Sequence, residues 1–203
     1  MKDIRLIQGR LSNQMFILAA HLSWCWDNDI HFFVQDEKYF KRYEDRIRQL
    51  YGERIIPNSI DRVAIHRRLG KNPINPSEPA YSDNPFYVDL GHHEHQKLED
   101  NYFVRAMSMF PPETKYTVFS DDIEKAKQEP MFQGEQFEFS EGRNEVEDLN
   151  YAACHKGIIG SNSSYSWWIA YLSGAEKIVF PKQWFSNPQD DQFIGLLPEW
   201  ERI

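Results

Sequence analysis

Short apolar runs break off into small or polar loops along this chain, and each loop leads into a stretch of helical periodicity. Residues 4–7 read as a strand. Gly9-Arg10-Leu11-Ser12-Asn13-Gln14 reads as a turn, and Met15, Leu18, Ala19, Leu22 and Trp26 then recur at helical spacing. The order returns further on. Residues 116–119 form a strand that stops at Ser120-Asp121-Asp122, with helix from 123 to 128. Residues 157–160 form another, followed by the polar loop Ser161-Asn162-Ser163-Ser164-Tyr165 and a helix over 166–172. Strands are also expected at 32–34, 63–66 and 177–181, the last being the final strand. Helices are expected at 37–51, at 147–155 and in the second half of 92–109, where Tyr102, Ala106 and Met109 share a side. Strands alternating with helices predict a parallel sheet and an α/β fold.

At 203 residues the chain suits one large domain or two small lobes. Hydrophobic residues make up 41% of it, enough for a packed core. The formal net charge of -8 disfavours general nucleic-acid binding, which rests on neutralising phosphates, and disfavours docking on anionic membranes. No apolar run reaches membrane-spanning length, and the first residues lack the apolar stretch of a signal peptide. Cys25 and Cys154 form neither a disulfide framework nor a metal motif; two buried thiols in a cytoplasmic protein are expected.

Chemistry concentrates where strands give way to loops. Ligands of open α/β sheets bind beyond the carboxyl ends of strands, where helix N-termini offer unpaired N–H groups to anions. The loops at 9–14 and 161–166 fit that geometry, although neither is a P-loop and no GxGxxG occurs. Taken singly, each is better read as a loop that caps its helix. The third junction is Val63-Ala64-Ile65-His66-Arg67-Arg68. Residues two apart share a strand face, so His66 and Arg68 point the same way, and a guanidinium suits a diphosphate. Taken alone, a solvated basic strand end explains this segment equally well. Gly91-His92-His93-Glu94-His95 invites a metal reading, but contiguous residues rarely converge on one ion; a solvated loop is the better account.

Read together, the segments resemble the α-1,2-fucosyltransferase family, glycosyltransferase family 11. The similarity runs through Gly9-Arg10-Leu11-Ser12-Asn13-Gln14-Met15-Phe16, then Phe33-Val34-Gln35-Asp36-Glu37-Lys38-Tyr39-Phe40, then the His66-Arg67-Arg68 strand. It continues through Tyr116-Thr117-Val118-Phe119-Ser120-Asp121-Asp122-Ile123-Glu124 and through Glu147-Asp148-Leu149 with Cys154-His155. It closes with the run Asn162-Ser163-Ser164-Tyr165-Ser166-Trp167-Trp168 and with Phe180-Pro181-Lys182-Gln183-Trp184-Phe185. Against that pattern the chain is short, mostly between the first loop and Glu37. Lys71 stands where an acid is expected. Aligned without a gap, Arg68 takes the first place of the family's Arg pair; with a one-residue gap, Arg67 and Arg68 form the pair. The ungapped register is preferred because it keeps His66 and Arg68 on one face.

The resemblance implies a GT-B-like fold with a Rossmann-type donor lobe. Residues 1–110 would form a reduced acceptor-side lobe carrying the first loop and the His66 strand, and residues 111–203 the lobe that binds the GDP-sugar. It implies inverting transfer of L-fucose from GDP-fucose to a glycan acceptor, with no metal and no cofactor besides the donor. By the same resemblance Arg68 would stabilise the departing diphosphate, while Ser163 and Ser164, beside Tyr165 and with Asn13 joining them, would hold the phosphates. His66 and Asp148 would read the guanine. The base that takes the acceptor proton is chosen from position alone: Glu78, with Asp83 and Glu94 as alternatives. Trp167 and Trp168 are expected in the core, and Asp121-Asp122 as helix-capping residues. The rival readings are a transferase for another GDP-sugar and a silent nucleotide- or glycan-binding relative.

Overall fold

The computed structural model describes residues 2–4, 12, 13, 15, 16, 19, 28, 29, 32–34, 56–69, 98, 100–185, 187–189 and 196–203. Near the start, β1 (Lys2–Ile4) pairs in parallel with β2 (Phe32–Val34). Ser12, Asn13, Met15, Phe16 and Ala19 have helical backbone. The expected helix at 37–51, Cys25 and the segment 70–97, which includes Glu78, Asp83 and the histidine run, lie outside the described residues.

Ile60, Val63 and Ile65 give β3 (Ile60–Arg67) the β-branched content that suits a buried strand. It is followed by α1 (Asp100–Met107), β4 (Tyr116–Ser120), α2 (Ile123–Ala126), a 3-10 turn at Pro130–Phe132 and β5 (Phe137–Phe139). Then come α3 (Glu145–Ala153), β6 (His155–Ile159), α4 (Ser164–Leu172), β7 (Lys177–Phe180) and β8 (Glu201–Arg202). The last six strands form one sheet in the order β5-β4-β3-β6-β7-β8, and every pairing in it is parallel. The chain runs outward from β3 to one edge, returns to β6 and runs to the other. That is the doubly wound, Rossmann-type arrangement, with its topological switch between β3 and β6. The α/β expectation therefore holds.

Alternation along β3 assigns the two faces. Val63 and Ile65 pack with Tyr102, Phe103, Ala106, Ala126 and Phe132. Ala64 packs on the other side with Leu149, Ile158, Trp168 and Ile169, from α3, β6 and α4. Helices thus cover both faces, and both faces are apolar, as parallel sheets require. Phe103, Phe119, Phe132 and Phe180 are fully buried, each contributing roughly 2 kcal/mol by transfer from water. Packing is close at β6: a Cβ on Gly160 would lie 2.4 Å from Phe180 Cε1.

Some expectations shift. β3 lies at the centre of the sheet that holds residues 116–202, so the division drawn at residue 110 does not separate two sheets. His155 opens β6 instead of closing α3, and α4 starts two residues earlier than its periodicity suggests. Residues 177–181 are not the final strand, because Ile203 N–H donates to Phe180 O at 3.1 Å and draws the chain end alongside β7. Among the described residues no helix is long and apolar enough to cross a membrane.

Candidate functional site

The switch point sets the ends of β3 and β6 side by side, and serines sew them together. Ser161, just past β6, donates its hydroxyl to His66 O at 2.5 Å and accepts Arg68 N–H at 3.1 Å. Each strand end therefore fixes the other. Tyr102 holds the next layer, donating to Gly160 O at 2.7 Å from beneath the sheet.

The two arginines after His66 part company. Arg67 is 8% exposed and turns to the α1 face. Its Nη2 lies 2.6 Å from Glu129 Oε1, its Nε also reaches that carboxylate, and its guanidinium sits 5.0 Å from the Phe103 ring centre. Arg68 is partly exposed, and its Nη1 pairs with Asp121 Oδ2. The other Asp121 oxygen accepts Leu69 N–H at 2.7 Å. Asp121 therefore grips both the side chain and the backbone at the tip of β3. The capping role expected of the acidic pair belongs to Asp122 alone, which accepts Lys125 N–H.

His66 is buried, with Nδ1 2.6 Å from Ser166 Oγ. Burial, and then the positive charge of Arg68, push its imidazole down to about 3, so the ring is neutral throughout the physiological range. Tyr165 lies beside it, with ring centres 5.1 Å apart. The Tyr165 hydroxyl donates to Glu145 O, tying α4 to the start of α3. Burial first, then the carboxylates of Asp148 and Glu145, raise that phenol well above its usual range. Asp148 sits in the first turn of α3 and accepts the Ser140 hydroxyl at 2.5 Å. Burial raises its carboxyl above the ordinary value, while the Ser140 bond and the Arg143 charge act the other way. His66, Tyr165 and Asp148 thus form one partly desolvated cluster where β3, α3 and α4 meet.

The remaining group gathers at the N-terminus of α4. Ser163 is its N-cap and accepts Tyr165 N–H. Ser164 Oγ lies 2.9 Å from Ser12 Oγ and donates to Asn13 Oδ1 at 2.8 Å. Because Ser164 gives its proton to Asn13, Ser12 must donate to Ser164. Trp168 Nε1 donates to Ser12 O at 3.0 Å and locks the contact. The first loop and the Ser163-Ser164 loop, more than 150 residues apart, are therefore one structure. Trp168 is in the core as expected, and Trp167 stacks on Tyr171 at 4.7 Å.

Arg68, Asn13, Ser163 and Ser164 thus lie on elements that meet at the switch point, beside the His66, Tyr165 and Asp148 cluster. The arrangement offers a guanidinium, hydroxyls and helix-start N–H groups, features suited to an anion. Among the described residues no group of three or more His, Cys, Asp or Glu side chains is placed to hold a metal ion. Glu78 lies outside the described residues. Sequence reasoning places Ser12, Ser161 and Ser166 in the two anion-type loops without naming a role for any of them, passes over Ser140, and reads Asp121 mainly as a cap. It makes Ser166 the first residue of its helix; that the helix starts at Ser164 and buries this hydroxyl is visible only in the fold.

Comparison with known proteins fits this arrangement. An alpha-1,2-colitosyltransferase of Escherichia coli is 24% identical over 189 residues, covering 84% of this chain and 61% of the relative. The chain thus spans less than two thirds of that relative's length. No solved structure matches. The model of glycosyl transferase family 11 matches residues 87–203, more than half of the chain and all of the sheet from β4 onward. The resemblance read from the motifs holds, and the chain belongs to glycosyl transferase family 11.

Proposed function

We propose that this chain transfers L-fucose from GDP-fucose to a glycan hydroxyl, with inversion, forming an α-1,2 linkage and using no divalent metal. The observation that supports the reading is that Arg68 N–H bonds Ser161 Oγ, in the loop that leads into the α4 N-terminus, while Ser164 at that terminus bonds Asn13, all at the topological switch of a Rossmann-type sheet. That is where such sheets take nucleotides.

As the bond from the sugar's anomeric carbon to the β-phosphate oxygen lengthens, negative charge gathers on the diphosphate. Arg68 neutralises it, in an orientation that Asp121 maintains. Ser163, Ser164, Asn13 and the first N–H groups of α4 hold the phosphates. His66 and Asp148 take the guanine, the carboxylate accepting from its N1–H and 2-amino groups, with Tyr165 beside them. Glu78 takes the proton of the acceptor hydroxyl as that oxygen attacks the opposite face of the sugar. For Glu78 the support is sequence position alone.

Assay of GDP release from GDP-fucose with a panel of glycan acceptors tests the proposal. Arg68→Ala is expected to lower kcat by about 100-fold or more, as loss of a group that stabilises transition-state charge does. It should also weaken GDP binding in calorimetry. Unchanged turnover and unchanged affinity would remove Arg68 from the site. A second reading, transfer of another GDP-linked sugar by the same residues, is favoured by the relative named for colitose. Turnover of a different GDP-sugar, with GDP-fucose left intact, decides for it.

A further inference from the structure

We infer that Ser166 holds His66 in the tautomer that carries its proton on Nε2, and so makes this imidazole a fixed hydrogen-bond donor to the purine. The inference deepens the proposed guanine site and rests on that reading.

The assignment follows from counting protons. Ser166 is fully buried, and its Oγ has two partners among the described residues. One is Ser161 N–H, at 3.0 Å, which can only donate. The other is His66 Nδ1, at 2.6 Å. If Nδ1 carried the proton, Ser166 Oγ would accept twice and its own O–H would be buried without an acceptor, a state native proteins avoid. If Ser166 donates to Nδ1, both bonds are made and no proton is stranded. The ring is neutral, so its single proton then lies on Nε2. The frame is rigid, because Ser161 Oγ ties His66 O to Arg68 N–H and Tyr165 packs against the imidazole.

N7 accepts in both purines, so a donor fixed at Nε2 discriminates between them where it faces position 6 of the base. Guanine presents acceptors at O6 and N7, whereas adenine presents an amino group at position 6. A donor facing that amino group leaves two N–H groups opposed, and buried polar mismatches of this kind give strong selectivity. Ser166 touches no nucleotide in this scheme. It is a positioning residue, and its effect on selectivity passes through the imidazole.

Long-range proton–nitrogen NMR of the full chain labelled with ¹⁵N reads the tautomer directly, with His66 assigned through its loss in His66→Gln. Expected is an unprotonated Nδ1 and a protonated Nε2 across neutral pH. In Ser166→Ala the ring should redistribute between tautomers. The preference for GDP over ADP, measured by calorimetry, should fall about tenfold, the worth of one hydrogen bond. Ser166→Cys keeps the size with a weaker donor and should fall between, and it serves where the alanine variant does not fold. A protonated Nδ1 in the unmutated chain overturns the inference without any variant. So does a GDP-to-ADP ratio unmoved in a variant whose tautomer has shifted. A correct tautomer with equal affinity for GDP and ADP overturns the guanine reading instead, and leaves the Ser166–His66 bond as found.

Discussion

His66, Arg67 and Arg68 are consecutive, yet each meets a different fate. Strand alternation sends Arg67 to the face where Glu129 and Phe103 wait, and sends His66 to the face of α3 and α4. Arg68 is one residue past the strand and is caught by Asp121. His66 should leave a measurable mark on stability. The unfolded imidazole takes up a proton below about 6.5, whereas the folded one does so only near about 3. Between those values the unfolded state binds more protons, so stability falls on acidification. From about pH 7 to about pH 5 the expected loss attributable to His66 is about 2 kcal/mol, at about 1.36 kcal/mol per unit. Urea unfolding of His66→Gln beside the unmutated chain should show a flatter pH dependence over this span. Parallel curves would mean that His66 titrates normally in the folded protein.

At the scale of elements, α3 is set by its own first turn. Asn144 accepts N–H bonds from Val146 and Glu147 at 3.0 Å each, and the Glu147 carboxylate returns to Asn144 N–H at 2.9 Å. That capping box fixes where the helix begins and therefore where Asp148 stands. Asn144→Ala should cost about 1 kcal/mol of stability and weaken GDP binding, because the helix start frays beneath Asp148. Asn144→Asp should restore both, and calorimetry with thermal unfolding checks the pair. This signal was present in the sequence as an asparagine followed three residues later by glutamate, but the helix was read from 147 onward. β5 and β8 were invisible for a plainer reason. Neither is an apolar run like Phe32-Phe33-Val34: Glu138 interrupts β5 and β8 is Glu201-Arg202, and each pairs with only one neighbouring strand.

Across the whole molecule, the order β5-β4-β3-β6-β7-β8 makes β3 and β6 the innermost pair. Stability should be graded accordingly. Amide hydrogen exchange is expected to be slowest in Val63–Ile65, Val118 and Ile158–Ile159, whose side chains are fully or almost fully buried, and fastest in exposed β8. Mass spectrometry of exchanged peptides measures this, and a fast β3 would contradict its central place. The grading serves the site, because Arg68 and Ser161 follow closely on the two innermost strands. A lobe boundary at residue 110 was a natural reading of the linear order, but β3 is inserted between strands that follow it by some 50 and 90 residues.

Local chemistry was enough to show an α/β chain. β-Branched runs, amphipathic periods and capping residues act over a few positions and are written in order. So were the two serines after β6 and the histidine two before Arg68. Which partner each arginine takes, which loop touches which helix and which hydroxyl reaches His66 depended on residues about 50 to 150 positions away: Glu129, Asp121, Ser166 and the Ser12–Ser164 contact. Hydrogen bonds and ion pairs reach only a few ångströms, so their partners are settled when the sheet closes and not before.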